Sequence, residues 1–139
     1  LSAIPDISVL PPAPLFIAIA ACSGFLAVAL GAFGAHALKT RLPADLLAVW
    51  QTAVQNQFWH TLALFGVGIL LSQNLLPQGL QSRWLTLSGW LFAAGIVIFS
   101  GSLYLLCMTG TRWLGAITPI GGSLWLLAWA SLCWAVVKQ

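Results

Sequence analysis

Residues 46–82 read LLAVWQTAVQNQFWHTLALFGVGILLSQNLLPQGLQS and contain no Asp, Glu, Lys or Arg. These 37 residues are too many for a single crossing of a bilayer core about 30 Å thick, which needs only about 20 helical residues. Composition divides the stretch. Around its start, from Pro43 to Gln57, apolar residues are mixed with Asp45, Gln51, Thr52, Gln55, Asn56 and Gln57, whereas Phe58 to Leu76 is nearly all apolar. The division predicts an amphipathic interfacial helix over about 43–57, started by Pro43 and anchored at the headgroups by Trp50, leading into a membrane span over about 58–76, with a bend at the junction or straight through it. Asn74, Pro77 and Gly79 supply the stop, and Arg83-Trp84 marks the next interface.

The same reading extends outward. The chain has 139 residues and seven charged ones, Asp6, Lys39, Arg41, Asp45, Arg83, Arg112 and Lys138, or 5%. A soluble domain carries about a quarter. With 60% hydrophobic residues, eight Trp and a mean hydropathy of +0.99, the surface must face lipid. The remaining charge-free stretches, 7–38, 84–111 and 113–137, each hold a span, placed at about 15–38, 84–108 and 114–137. The expected fold is an all-α membrane protein, an up-down-up-down bundle of four transmembrane helices forming one domain over 15–139. Residues 1–14, with Pro11-Pro12-Ala13-Pro14, read as an extended, exposed, proline-rich segment.

Helices in lipid associate where small residues allow close approach. Ala20, Gly24, Ala27, Gly31 and Ala35 recur at three- and four-residue spacing in the first span, and Gly89 and Ala93 repeat the pattern in the third. These positions are expected at helix seams.

In an up-down-up-down bundle the end of span one, the start of span two, the end of span three and the start of span four share one membrane face. The unusual polar residues fall there: His36; Gln57 and His60; Ser100, Ser102 and Tyr104; Thr118 and Pro119. A polar cluster between the helices near that face is expected. Two readings stay open for its histidines. They fix helix contacts by hydrogen-bonding Tyr104, Thr118 or backbone carbonyls, or they belong to a ligand site, the default for an ionisable group in a membrane. Pro119 with Gly121 and Gly122 either kinks the helix or exposes backbone to a ligand.

Other chemistries find little support. Two His and three scattered Cys, Cys22, Cys107 and Cys133, make no zinc or haem set, so no metal or cofactor is expected. There is no phosphate-binding loop, nucleophile elbow or carboxylate pair for an enzyme, and a net charge of +3 on so few groups offers no nucleic-acid surface. Lys39, Arg41 and Arg112 against Arg83 and Lys138 favour both termini outside the cytoplasm by three basic residues to two.

Gly31-Ala32-Phe33-Gly34-Ala35-His36-Ala37-Leu38, Trp50-Gln51-Thr52-Ala53-Val54 with Gln57 and His60-Thr61-Leu62-Ala63-Leu64, Phe99-Ser100-Gly101-Ser102-Leu103-Tyr104, and Thr118-Pro119-Ile120-Gly121-Gly122 follow one another in order. Together they resemble the YgdD/YwdK family of small inner-membrane proteins over about Gly24 to Trp129, with Asn56 standing where that family has an aromatic residue. The resemblance implies a four-span bacterial inner-membrane protein of unassigned biochemical function. The residues themselves suggest a non-enzymatic accessory or assembly subunit, associating laterally with other membrane subunits or with itself. The competing expectation is a binder or transporter of a small amphiphile, a quinone or lipid, at the polar cluster.

Overall fold

The computed structural model describes residues 11–73 and 79–137, and every regular element among them is helical. Helix α1 (Pro12–Phe33) runs into a π-helical turn, Gly34–Leu38, to make the first rod. Helix α2 (Ala44–Ser72) is the second. The third comprises α3 (Leu80–Gly95), a π-helical turn (Ile96–Ser100) and α4 (Gly101–Thr109). A 3-10 turn, Arg112–Ala116, leads into α5 (Thr118–Val137) and the fourth rod.

One boundary differs from the sequence reading. Pro12 opens α1 directly, so residues 12–14, expected to be extended, are the helix's first turn. Proline suits that turn because its missing N–H would have no helical partner there. Residues 1–10 of the proline-rich segment lie outside the described residues, as do Asn74, Pro77 and Lys138.

Helix α2 runs unbroken through Phe58, the continuous course of the two that the sequence leaves open. No Gly or Pro interrupts it between Ala44 and Phe65, and a helix once nucleated propagates through polar and apolar residues alike. Trp50, expected as a headgroup anchor, is a correction, because it faces the neighbouring rod. It is buried, and its indole N–H donates to the Leu30 carbonyl at 2.9 Å. Gly34 makes room for it: a Cβ there would stand 2.6 Å from the ring.

Successive rods run antiparallel. Gly68 lies against Ile17 and Trp50 against Leu30 on the first pair; Ser100 bonds Ala53 and Cys107 bonds Leu46 on the second; Ser88 bonds Ala128 and Ser102 meets Thr118 on the third. Gly110, at φ 70°, ends α4 with its N–H on the Leu106 carbonyl, a left-handed cap that glycine adopts without steric penalty. Three rods, Pro12–Leu38, Ser82–Thr109 and Arg112–Val137, are long and apolar enough to cross a membrane.

Phe16, Ala20, Leu64, Val67, Phe92, Ile96, Trp125 and Ala128 form the main core, drawn from all four rods. Small residues bring the rods together. Gly89 receives the Phe16 ring, Gly95 the Trp125 indole, and a Cβ on Gly121 would lie 2.5 Å from the Phe99 backbone nitrogen. Of the expected seam positions, Ala20 and Ala27 are buried, Gly24 and Gly31 face Thr61 and Val54, Gly89 is buried, and Ala93 packs at the core's edge. Ala35 is a correction: it is exposed, and Gly34 holds the seam instead. Two successive four-residue steps, from Ala27 through Gly31 to Ala35, turn a position about 80° off a straight contact line.

Candidate binding groove

Gln57 is the fourteenth of the 29 residues of α2, and Ser23 the twelfth of the 22 residues of α1, so both lie midway along their rods. Gln57 is 4% exposed. Its Nε2 donates to the Ser23 carbonyl at 3.0 Å and to Ser23 Oγ at 3.4 Å, while its Oε1 accepts the Tyr104 hydroxyl at 2.7 Å. Ser23 Oγ and Thr61 Oγ1 are 2.6 Å apart. Three rods are thus tied at one point. Tyr104 also packs on Trp50, with ring centroids 4.7 Å apart, and Ser100 donates to the Ala53 carbonyl at 2.9 Å. Buried amide and hydroxyl groups would otherwise be costly in so apolar a setting, and here each finds a partner.

Above this network lies a groove of about 760 Å³ between α1 and the third rod, with Gln57 in its floor. Phe16 meets Trp90 edge-on at 5.2 Å where the two rods close on each other. Ala18, Cys22 and Leu26 line one wall, and Trp90, Ala94, Val97 and Gly101 the other; Ser23, Ser100 and Tyr104 also line it, with their hydroxyls bonded inside the protein. No Asp, Glu, Lys, Arg or His lines it. The volume falls within the roughly 300–1,000 Å³ usual for small-molecule sites.

The single polar cluster expected from sequence resolves into separate sets. Gln57, Tyr104 and Ser100 gather at the groove. Ser102 and Thr118 pair with each other at 2.7 Å between α4 and α5, and Thr118 also bonds the Leu114 carbonyl at 3.4 Å. Pro119 is exposed, its carbonyl accepting Ser123 Oγ at 2.9 Å. His36 is exposed on the π-helical turn, with no hydrogen bond among the described residues. His60 turns toward α5 and lies flat on Trp125, ring centroids 3.6 Å apart and planes at 2°. Its Nδ1 sits 2.8 Å from the Asn56 carbonyl. A carbonyl only accepts, so Nδ1 carries the hydrogen. The Gln57 and His60 side chains diverge because each residue turns a helix by about 100°.

Ser23 and Thr61 were absent from the expected cluster. A signal for them existed: Thr61 is four residues after Gln57 on the same face of α2, and Ser23 is a lone hydroxyl amid an apolar helix.

Regular structure that is all helical among the described residues, three rods apolar enough to cross a bilayer, large hydrophobic side chains exposed along every rod, and buried amide and hydroxyl groups paired inside define a small helical membrane protein. More particularly, the chain belongs to the family described as "protein of unknown function (DUF423)", whose model matches residues 30–122. It is 46% identical to UPF0382 membrane protein YwdK of Bacillus subtilis (strain 168), across 89% of this chain and 97% of that one. It is 43% identical to UPF0382 membrane protein SSP2132 of Staphylococcus saprophyticus, across 85% of this chain and 92% of the relative. With UPF0382 membrane protein SAB0533 of Staphylococcus aureus (strain bovine RF122 / ET3-1) it shares 42% identity, across 89% and 96%. No solved structure matches the chain.

Proposed function

We propose that all four rods cross the bacterial inner membrane, with both termini outside the cytoplasm, and that the chain binds a neutral amphiphile in the groove between α1 and the third rod. The orientation rests on three basic residues at the first and third loops against two on the other side. In this arrangement Gln57, Ser23 and Tyr104 lie deep in the membrane. The groove then opens sideways to lipid, and an apolar chain enters without leaving the hydrocarbon.

The observation that carries this reading is the groove itself: about 760 Å³, an almost wholly apolar surface over the buried Gln57, and no charged side chain. A phospholipid headgroup needs water or a cation and stays at the interface. A small uncharged head group on a long apolar chain, of the quinone or neutral-lipid kind, meets both the depth and the chemistry. Binding is the proposed role, since the groove holds no pairing of nucleophile with base.

Lateral association as an accessory subunit draws less support. The small residues that suggested it, Ala20, Ala27 and Gly89 among them, are buried in contacts within the chain.

Mass spectrometry of lipids retained by the full chain after extraction in mild detergent tests the binding role. Gly101→Phe should fill the groove, because a Cβ on Gly101 meets open space. The wild type should retain one neutral lipid class that Gly101→Phe loses, while Gly66→Phe, outside the groove and also facing open space, keeps it. Identical lipid content in all three proteins would refute the reading.

A further inference from the structure

We propose that the outer face of α2 is the contact between two copies of this chain, paired about a two-fold axis along the membrane normal, with the Gln55 amides of the two copies bonded to each other. The pairing rests on α2 crossing the membrane and is independent of what occupies the groove.

The side of α2 turned away from its own bundle carries Ala48, Thr52, Gln55, Trp59 and Leu62, all exposed. Their spacing alternates four and three, the pattern by which one helix faces another along a seam. Gln57, Thr61 and Leu64, on the opposite side, are buried in the bundle. Lipid covers Trp59 and Leu62 without cost, and Thr52 returns its hydroxyl to the Ala48 carbonyl at 3.0 Å. Gln55 differs: its amide makes no hydrogen bond among the described residues.

Depth makes that amide costly. Gln55 is ten residues from Asp45, the nearest charged residue along the helix, or about 15 Å along the axis. A headgroup layer is only about 5–8 Å thick on either side of the hydrocarbon, so with Asp45 at the membrane surface Gln55 lies among lipid tails. Gln51, also exposed, stands about 6 Å nearer the headgroups, within reach of water. An amide in hydrocarbon needs a partner, and tails offer none.

A second copy supplies it. Copies of one chain insert the same way round, so the same residue stands at the same depth in each. An amide both donates and accepts, and two of them facing across a two-fold axis exchange N–H···O bonds in both directions. A polar residue at one seam position among apolar ones also fixes the register of a helix pair. Hollows of about 340 and 490 Å³ border Gln55 between α1 and α2, both lined by Gly31 and Val54, and receive side chains of the facing helix. Because Gln57 is on the opposite side of α2, this pairing leaves the groove open.

The experiment uses the full chain in phosphatidylethanolamine–phosphatidylglycerol vesicles, with Cys22→Ser and Cys133→Ser leaving only the buried Cys107. Thr52→Cys, Gln55→Cys and Trp59→Cys, introduced singly and oxidised, should form disulfide-linked dimers about tenfold or more faster than Phe25→Cys, Val97→Cys and Leu126→Cys, which are highly exposed on the other three rods. By fluorescence transfer between labelled copies, Gln55→Leu should weaken dimerisation about tenfold, the scale of amide pairing between membrane helices, and Gln55→Asn should keep part of it.

Equal cross-linking at all six positions, or unchanged dimer affinity in Gln55→Leu, overturns the pairing. A monomeric chain that loses a retained phospholipid in Gln55→Leu assigns the face to lipid and overturns it too. A membrane-impermeant maleimide separates the two failures. Labelling of Gln55→Cys as fast as Asp45→Cys overturns the crossing of α2 along with the dimer, whereas slow labelling without cross-links overturns the dimer alone. Should a cysteine variant fail to insert, the Gln55→Leu titration decides.

Discussion

The imidazole of His60 lies parallel to the indole of Trp125, planes at 2° and centroids 3.6 Å apart, and so joins α2 to α5, rods that are not neighbours along the chain. The stack is held from both sides. His60 Nδ1 bonds the Asn56 carbonyl, and Trp125 Nε1 donates to the Phe92 carbonyl at 3.3 Å. Trp129 meets Phe92 edge-on at 5.0 Å beside it. His60 therefore works in this fold as a flat packing surface.

His60→Ala should lower stability by about 1–3 kcal/mol, combining loss of the stack with loss of the bond to Asn56. His60→Phe should recover the larger part of that. Thermal unfolding in mild detergent checks both. Because His60 does not line the groove, neither variant should alter the lipids retained.

Gly95→Ala and Gly121→Ala should each destabilise the protein by about 1–3 kcal/mol, through overpacking against Trp125 and Phe99 respectively. Gly95→Ala should also disturb the His60–Trp125 stack, so its near-ultraviolet circular dichroism should change more than its helix content. Helix loss equal in both signals would argue for general unfolding instead.

Cys22 is exposed and lines the groove, Cys133 is exposed away from it, and Cys107 is buried. In a Cys133→Ser background, maleimide labelling of Cys22 should slow about tenfold or more when Ala94→Phe or Gly101→Phe fills the opposite wall, on the expectation that labelling follows access. Unchanged labelling in both would show that the groove does not control access to Cys22.

His36→Ala should change stability by no more than about 0.5 kcal/mol, the usual effect of an exposed position without partners. Matching thermal midpoints and matching lipid content would together remove His36 from the site. A larger loss would place a contact on that turn that the isolated chain lacks.

The charge spacing, read alone, locates four helical rods, since seven charges in 139 residues leave gaps long enough for helices and too apolar for water. It also nominates Gln57 and Tyr104, because an uncharged polar group among apolar residues needs a partner wherever the fold puts it. The depth of the site was not legible there. Whether Gln57 stands at the start of a helix or midway along one depends on α2 continuing through Phe58, which composition left open and backbone hydrogen bonding joined. The partners were not legible either. Ser23, Thr61 and Trp125 are ordinary in sequence and become significant only when antiparallel rods set them opposite Gln57 and His60. The sequence by itself determined the membrane class, the number of rods and the family, because hydropathy and local spacing are properties of neighbouring residues. Only the tertiary structure decided that His36 stands outside, that His60 packs on Trp125, and that a groove opens over Gln57. Each of these follows from a rotation of about 100° per residue about a helix axis, which becomes an inside and an outside only when a second helix packs against the first.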